Sequence, residues 1–419
     1  MLGDIGRIVR IGIVGLGGRG RGQMDTLLDM ADVEVAAVCD VYEDRVRDGI
    51  ADVTKKRETS PAGYTDYRRL VERPDIEAVV VTSSWTSHTN IAVAAMQAGK
   101  YAAIEVGGAS SLQECWNLVR TSERTGKPCM MLENCCYNRE EMALMNMVKQ
   151  GVFGELIHCQ GGYEHDLREE ICMGDVNRHY RRENFTHRNG ELYPTHELGP
   201  ICKWLSVNRD NRMTMLTSMA SKSRGLALWM QEHRPSDPIP PFLQGDIVTT
   251  MIQCAHGETI LLTHDCSLPR RYSRGGRLQG TRGLWMEDNR SLIIEGLTEW
   301  DPDDWDHLKW EPFDKHIDRF DHPLWKAYKE FGLRGGHGGM DYLVLRAFVE
   351  ALQNGTQTPI DVYDTATWMS VTCLSEQSIA VGSMPVPLPD FTDGRWIGRE
   401  KAVPGMFALD DVYDDFFGD

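Results

Sequence analysis

The sequence predicts a two-domain α/β protein, with a doubly wound parallel sheet followed by an α+β domain that has an open, largely antiparallel sheet. The length of 419 residues exceeds that of one ordinary domain. Short apolar segments alternate with segments of helical periodicity in the first third of the chain. Beyond residue 150 the segments become longer and alternate between apolar and polar side chains.

A strand, a tight turn and a helix open the first domain. Residues 9–14 are apolar, residues 15–20 are rich in glycine, and residues 23–28 place apolar side chains at helical spacing. The same periodicity predicts further strands at 33–39, 77–82 and 101–106, and a helix at 91–98. Strands and helices that alternate in this way form a parallel sheet with right-handed crossovers.

The second domain carries six predicted strands, at 155–163, 213–220, 246–254, 259–265, 276–286 and 291–295. Residues 255–258 predict a hairpin turn between two of them. Helices are predicted at 340–352 and 365–379, and the proline-rich end from Pro385 is expected to be extended. We therefore expect a dinucleotide domain at 1–135, a substrate domain at 136–385 and a tail at 386–419, with a cleft between the two domains.

The glycine turn predicts a dinucleotide site. Gly15, Gly17 and Gly20 follow a predicted strand and open a helix, where backbone N–H groups and the helix dipole favour a pyrophosphate. Asp40 ends the next strand, at the position where a carboxylate accepts hydrogen bonds from an adenosine ribose. Because that carboxylate repels a 2′-phosphate, we expect NAD rather than NADP.

The carboxyl ends of the third and fourth predicted strands should face the same cofactor, because ligands bind at that edge of a doubly wound sheet. The residues that follow these strands are 83–88 and 105–108.

Composition excludes several classes of partner. The net charge of −17 repels nucleic acid and anionic lipid, and the sequence has no apolar run as long as a membrane span. The basic stretch at 168–188 suits a small polar ligand, or is a solvated loop. Eleven cysteines without metal-ligand spacing indicate reduced thiols. With no secretion signal at the N-terminus, we expect a cytoplasmic protein, although an exported form with its signal removed stays open.

No metal is expected. His165, Asp166 and His337 lack the spacing of metal ligands, and packing or hydrogen bonding within loops explains them better. The sequence also singles out no pair of carboxylates placed for general acid and base roles.

The first domain resembles the Gfo/Idh/MocA family of glucose–fructose oxidoreductase-like proteins, which have an N-terminal Rossmann domain and a C-terminal open-faced sheet. Simple sugar dehydrogenases of that family usually carry Glu-Lys-Pro after the fourth strand, and the lysine assists proton transfer. This chain has Glu105-Val106-Gly107 there, so the usual lysine is missing.

The chain also resembles a narrower family, glycoside hydrolase family 109, and this resemblance is consistent with the missing lysine. It is carried by segments that run through both domains, namely residues 85–88, 105–106, 113–116, 132–137, 162–167, 188–196, 268–273 and 336–342. The resemblance implies an NAD-dependent α-N-acetylgalactosaminidase. The residues that would hold NAD are Gly15, Gly17, Gly18, Arg19, Gly20, Asp40, Trp85, Ser87, His88, Glu105, Val106, Asn134 and Tyr193. Those that would hold the sugar are Tyr163, Arg181, Tyr193, Thr195, His196 and Tyr272.

The resemblance also implies a redox-assisted hydrolysis with retention: transient oxidation at carbon 3, elimination, addition of water and re-reduction. We assign the proton of the carbon 3 hydroxyl to His196, whose ordinary pKa lies nearest to neutral. Tyr193, three residues earlier, would share its face if this stretch is helical. Tyr163 is the candidate base at carbon 2, supported by the charge of Arg181. Glu133 would tune His196 or hold a second proton.

Two alternatives remain open from the sequence. One is an NAD-dependent sugar or glycoside dehydrogenase of the Gfo/Idh/MocA type, which would release NADH. The other is a sensor that binds NAD and a sugar without turnover. In each case the partner is a carbohydrate, and the face of the second sheet is open to assembly into a homo-oligomer.

Overall fold

The computed structural model describes residues 6–303, 305–399 and 405–409. The chain divides into two compact units. Unit 1 comprises the described parts of 1–142, 322–367 and 400–419, and unit 2 comprises those of 143–321 and 368–399. Residues 322–367 thus belong to the first unit, whereas the sequence analysis places them with the second. The predicted domain boundaries stay a prediction.

Unit 1 contains the predicted parallel sheet. Its strands are Val9–Val14 (β1), Val33–Cys39 (β2), Ala62–Tyr64 (β3), Ala78–Val81 (β4), Tyr101–Ile104 (β5) and Cys129–Met131 (β6). Every neighbouring pair is parallel, in the order β3-β2-β1-β4-β5-β6. Ile11 and Ile13 are fully buried, which is typical of a strand covered by helices on both faces. The fold class predicted for the first domain is confirmed.

Helices follow these strands in unit 1. They are Gly18–Leu28 (α1), Glu43–Arg57 (α2), Tyr67–Val71 (α3), Trp85–Gln97 (α4) and Leu112–Thr125 (α5), and a 3-10 helix covers Asn134–Tyr137. α4 begins six residues before the predicted start at 91. Ser84 is extended and Ser87 donates both its N–H and its Oγ–H to the Ser84 carbonyl. The predicted cofactor residues 85–88 therefore form a first helical turn.

Helix Arg139–Lys149 (α6) connects to unit 2, whose sheet is largely antiparallel. The strands are Leu156–Glu164 (β7), Met213–Ala220 (β8), Ile247–Cys254 (β9), Thr259–Asp265 (β10), Arg277–Gly280 (β11), Gly283–Met286 (β12), Ser291–Ile294 (β13), Glu311–Pro312 (β14) and Val386–Pro387 (β15). Their order is β14-β13-β12-β11-β7-β10-β9-β8-β15, and β7 and β10 form the parallel pair among these named strands. In β9, buried and exposed residues alternate, as expected for a sheet with one covered face.

One strand prediction in unit 2 is wrong. Residues 276–286 form the two strands β11 and β12 and not a single strand. Gly280 and Gly283 flank the turn, and a side chain at Gly280 would collide with the Phe153 carbonyl oxygen. The two strands pair antiparallel, so the chain reverses between Gly280 and Gly283. The hairpin predicted at 255–258 is confirmed, with Gly257 at φ +103°.

The basic stretch of unit 2 is helical rather than a loop. It forms Arg168–Cys172 (α7), Gly174–Asn177 (α8) and Arg181–His187 (α9), each too short for periodicity to reveal. The next helices are Thr195–Trp204 (α10), Gly225–His233 (α11) and Ile317–Phe320 (α12), with a 3-10 turn at Phe313–Lys315. None of the helices in the part of the chain described here is both long and apolar enough to cross a membrane.

The remaining helices are Pro323–Phe331 (α13) and Met340–Asn354 (α14) in unit 1, preceded at α14 by the 3-10 turn His337–Gly339, and then Val362–Ala380 (α15). The tail predicted as extended pairs through β15 and then turns at 391–398. Asp390 causes this turn, because its carboxylate accepts hydrogen bonds from the backbone of Thr392 and Gly394. Residues 400–404 and 410–419 of that prediction lie outside the described residues.

Candidate active site

The glycine turn between β1 and α1 is built for close approach of a ligand. Gly15 has φ +103°, and a side chain at Gly20 would collide with the Gly15 carbonyl oxygen. On the other side of the turn, no atom of the described residues lies within 4 Å of a side chain built at Gly18. The turn therefore has one packed side and one open side, and the open side lies at the N-terminus of α1, where an anion binds well.

Asp40 connects this turn to the end of β2. Its carboxylate accepts the backbone N–H of Leu16 at 2.7 Å and that of Tyr42 at 3.0 Å, and Arg45 lies 3.8 Å away. An ionised carboxylate offers about four acceptor positions. The two backbone donors leave positions for the two hydroxyls of a ribose.

Arg19 is clamped by two acidic residues of unit 1. Its Nε donates to Glu105 at 2.8 Å, and its two terminal nitrogens donate to the two oxygens of Asp341 at 2.8 and 3.0 Å. Gln23 also donates to Glu105. This bidentate contact fixes the plane of the guanidinium beside the glycine turn.

Asp341 is the centre of this network. It is buried and also accepts hydrogen bonds from Asn134 Nδ2 and from His337 Nδ1, both at 2.8 Å. Burial acts to raise the pKa of Asp341, but the hydrogen bonds from His337 and Arg19 outweigh it and hold that pKa well below its ordinary range. The hydrogen bond to Asp341 raises the pKa of His337.

The ends of β4 and β5 supply the remaining predicted cofactor residues of unit 1. Trp85 is buried, and a side chain at Gly107 would collide with its indole ring. Ser87 Oγ lies 2.7 Å from Ser83 Oγ, and His88 Nε2 lies 2.9 Å from the Ser83 carbonyl oxygen. Burial lowers the pKa of His88, so its imidazole is neutral at pH 7.

Two further predicted residues of unit 1 are buried. Val106 follows Glu105 at the end of β5. Glu133 lies after β6, where its carboxylate accepts the Cys135 N–H at 3.1 Å and so caps the 3-10 helix at Asn134–Tyr137.

In unit 2, the predicted tyrosines and histidine form one cluster. Tyr163, near the end of β7, has its ring centroid 4.3 Å from that of Tyr193 and 5.5 Å from that of His196. Tyr193 Oη lies 3.5 Å from His196 Nε2. The sequence left open that Tyr193 is helical, but it is not, because α10 has Pro194 as its N-cap and begins at Thr195. Thr195 is buried.

Arg181 covers this cluster. Its guanidinium carbon lies 5.7 Å from the ring centroid of Tyr163 and 5.1 Å from that of Tyr193, and its Nε is 3.0 Å from Glu170 Oε1. Burial raises the pKa of Tyr163 to about 12, although the charge of Arg181 opposes this shift. The positive charge predicted beside Tyr163 is thus present on Arg181, but the effect of burial on the pKa of Tyr163 is larger.

The cluster is bordered by His165, for which packing or hydrogen bonding within a loop was predicted. His165 Nδ1 lies 3.1 Å from Tyr163 Oη, and the ring of His165 meets that of Tyr272 edge to face at 5.2 Å. Tyr272 is half exposed.

Buried polar contacts hold the segment that leads to Tyr193. Gln244 both donates to and accepts from the backbone of Gly190, and Ser375 Oγ accepts the Glu191 N–H at 2.7 Å. Glu191 is fully buried, and burial raises its pKa to about 8. Among the residues described, its Oε2 has no hydrogen-bond partner.

Two family models together match most of the chain. Residues 9–133 match the oxidoreductase family with an NAD-binding Rossmann fold. Residues 137–398 match the C-terminal domain of glycosyl hydrolase 109. The chain belongs to glycosyl hydrolase family 109.

Relatives in this family cover nearly the whole chain. A glycosyl hydrolase family 109 protein of Stenotrophomonas maltophilia is 42% identical, over 97% of this chain and 93% of its own length. A protein of Tannerella forsythia named α-N-acetylgalactosaminidase is 38% identical, over 96% and 89%. Among solved structures, an oxidoreductase from Agrobacterium radiobacter in complex with NAD+, L-tartaric acid and magnesium has a similar fold, with a TM-score of 0.64. The match covers 92% of this chain and 99% of the oxidoreductase. Because the two sequences are only 15% identical, the likeness concerns the fold alone.

The family 109 chain therefore contains an NAD-binding Rossmann domain, and its geometry fits that cofactor. The open side of the glycine turn and the unfilled acceptor positions of Asp40 suit a pyrophosphate and a ribose. Asp341, the partner of Arg19 and of Asn134, was not predicted as a site residue. Its signal in the sequence was its place in the segment 336–342, which is one of those that carry the family resemblance.

Proposed function

We propose that this chain hydrolyses terminal α-linked N-acetylgalactosamine residues with retention, using an NAD molecule that stays bound. Membership in family 109 and the name of the Tannerella forsythia relative support this proposal. The observation that carries it is the cluster of Tyr163, Tyr193 and His196 beneath Arg181, because these side chains can hold and move protons at more than one sugar atom.

NAD, when bound, supplies reversible hydride removal at carbon 3 of the sugar, which makes the hydrogen at carbon 2 acidic. The residues that would hold it are the glycine turn, Arg19, Asp40, the first turn of α4, Glu105, Val106, Asn134 and Tyr193. Val106 occupies the position at which the related dehydrogenases usually carry a lysine. The chain's own proton-transfer groups must therefore come from elsewhere.

Each of these groups has a proposed task. His196 takes the proton of the carbon 3 hydroxyl, and Tyr193 orients it through the 3.5 Å contact between Tyr193 Oη and His196 Nε2. Tyr163 takes the proton from carbon 2. Arg181 stabilises the negative charge that develops on the two tyrosines.

Three further residues complete the proposed site. Thr195 and Tyr272 contact the sugar, and Glu133 holds a second proton. Thr195 and Glu133 are buried, whereas Tyr272 presents half of its surface to solvent, where an exposed aromatic ring can stack on a sugar.

The test uses the protein as purified, without added NAD, and p-nitrophenyl α-N-acetylgalactosaminide as substrate. We expect nitrophenol to be released over many turnovers while NADH absorbance does not accumulate. NADH formed in step with product would contradict hydrolysis and support a dehydrogenase. Binding of NAD and sugar without product and without exchange of the carbon 2 hydrogen would support a sensor.

We also propose that copies of the chain associate through the sheet of unit 2. Met219 in β8 is 65% exposed and Ile157 in β7 is 49% exposed, and apolar side chains at such exposure favour a covered face. Light scattering on the wild type and on Met219→Lys tests this, since a monomeric wild type would contradict it. Ten of the eleven cysteines are buried and the eleventh, Cys373, is partly buried; a chain with so many shielded cysteines suits the reducing cytoplasm, and cell fractionation can check this location.

A further inference from the structure

His165 is held rigidly at the end of β7. Its backbone N–H donates to the Asp265 carbonyl at 2.9 Å, while the preceding residue, Glu164, pairs on its other side with Ser273 through two backbone hydrogen bonds of 3.0 and 3.1 Å. Residues two apart on an extended strand point to the same face. His165 Nδ1 therefore comes within 3.1 Å of Tyr163 Oη without a change in the backbone.

Tyr163 has a chemical requirement that this neighbour can meet. A phenol must give up its own proton before its oxygen can take another, and burial disfavours its ionised form. Arg181 stabilises the resulting negative charge but has no acceptor for the proton. The imidazole nitrogen at 3.1 Å is such an acceptor.

We propose that His165 is a positioning residue that accepts the phenolic proton of Tyr163 while Tyr163 deprotonates carbon 2. This inference rests on the proposed function, because it assigns the proton that leaves Tyr163 in that reaction.

The step balances in protons and electrons. The proton of the Tyr163 O–H bond passes to His165 Nδ1, and Tyr163 Oη takes the proton from carbon 2. The electron pair of that C–H bond forms the double bond between carbons 1 and 2, and the pair of the C1–O bond leaves with the aglycone oxygen. This oxygen takes the proton held by His165 through one water. Addition of water reverses these transfers.

The surroundings of His165 favour its neutral form, which can accept a proton. Four charged or titratable groups act on its pKa, namely the adjacent Asp166 and, from other elements, Arg181, Glu170 and His196. The phenols of Tyr163 and Tyr272 also face its ring. Burial, and then the charge of Arg181, lower the pKa of His165, while Glu170 and Asp166 oppose them. The imidazole is therefore neutral near pH 7, and its Nδ1 is free of a proton when Tyr163 Oη donates to it.

The test replaces His165 by Asn, whose side-chain oxygen can accept the Tyr163 hydrogen bond but cannot carry away the proton. The matched control is His158→Asn. His158 lies on the same strand, and its Nδ1 contacts the Thr259 hydroxyl at 2.8 Å, so the control removes a similar contact without touching Tyr163. We measure kcat/KM on p-nitrophenyl α-N-acetylgalactosaminide across pH, with ordinary substrate and with substrate deuterated at carbon 2.

We expect kcat/KM of His165→Asn to fall by about a hundredfold or more, which is the usual contribution of a proton-transfer partner. The variant should lose the part of the acid limb that reflects protonation of His165, and its isotope effect should exceed that of the wild type. His158→Asn should keep the wild-type profile. Activity of His165→Asn within threefold of the control, or a fall without change in acid limb and isotope effect, would overturn the proposal.

A second measurement does not depend on activity. In protein with ¹⁵N-labelled histidine, we expect His165 Nδ1 to be an unprotonated acceptor at pH 7, with a resonance that shifts in Tyr163→Phe. A protonated Nδ1, or no shift, would refute the contact. If the wild type releases no nitrophenol, the proposed function fails, and this spectrum still decides whether His165 accepts from Tyr163.

Discussion

Replacing Asp341 by Asn should release NAD from this protein, because it unclamps Arg19. The variant keeps the shape of the side chain but removes the charge that Arg19 and His337 both contact. Removing one partner of a buried ion pair costs about 3–5 kcal/mol in general. Arg19 is 32% exposed and can regain water, so we expect the free energy of unfolding to fall by about 2–3 kcal/mol.

The matched control is Asp32→Asn. Asp32 is also buried in unit 1 and contacts Arg346 at 2.7 and 3.0 Å, so its loss should destabilise the fold by a similar amount. It does not contact Arg19. If Arg19, once released from Asp341, loses about 1.4 kcal/mol of its interaction with the pyrophosphate, the Kd for NAD rises about tenfold in Asp341→Asn and stays unchanged in the control.

The assay combines urea unfolding with the rate at which NAD leaves each protein after dilution. The sign of the pH dependence follows from the lowered pKa of Asp341: its stabilisation is present above the ordinary carboxyl pKa and is lost as pH falls toward the lower folded value. The stability difference between wild type and Asp341→Asn should therefore be full at pH 7 and shrink in acid. Equal NAD loss from both variants would refute the role of the clamp.

Three further predictions concern single side chains. Gly20→Ala should lose bound NAD, because the added methyl collides with the Gly15 carbonyl oxygen. In the control Gly22→Ala, the methyl meets no atom of the described residues within 4 Å, so this variant should keep NAD, and its free energy of unfolding in urea should rise by about 1 kcal/mol. Equal NAD content in the two variants would contradict this. Asp40→Asn should narrow the preference for NAD over NADP, as titration calorimetry on the apoprotein can show; an unchanged ratio speaks against the repulsion argument. Burial raises the pKa of Glu191 to about 8, so the free energy of unfolding of the wild type should fall as pH rises from 5 to 8. Relative to Glu191→Gln, the fall should be at most about 1.4 kcal/mol per pH unit. A difference in the free energy of unfolding between the two proteins that stays constant over this pH range would refute the prediction.

The regular elements could be predicted where their pattern was long enough. β1, β2, β8 and β10 have the predicted bounds, because each carries six to eight residues of consistent periodicity. The strands β3 and β6 have three residues each, which is too short for a period to appear. The helices α7 to α9 escaped prediction for the same reason.

Whether a site residue could be predicted depends on whether its role follows from local spacing or from a contact made on folding. The glycine turn and Asp40 follow from local spacing, since the turn geometry needs glycine at particular positions. Asp341 lies 322 positions from Arg19, so only folding brings the pair together. His165 is two residues from Tyr163, yet its contact depends on the strand geometry and on the ring orientation, which the sequence does not give.

The parallel pairing of β7 with β10 has a consequence for how the protein folds. The single connection between these strands contains α7 to α11 and the strands β8 and β9, and with them Arg181, Tyr193 and His196. Pairing β7 with β10 closes a loop of more than ninety residues, a non-local step that is slow compared with local helix formation. Native-state hydrogen exchange should accordingly show the amides of Tyr163 and His264 opening together. Completing the sheet and assembling the proton-transfer cluster would then be one folding event, so that a partly folded chain holds no active cluster.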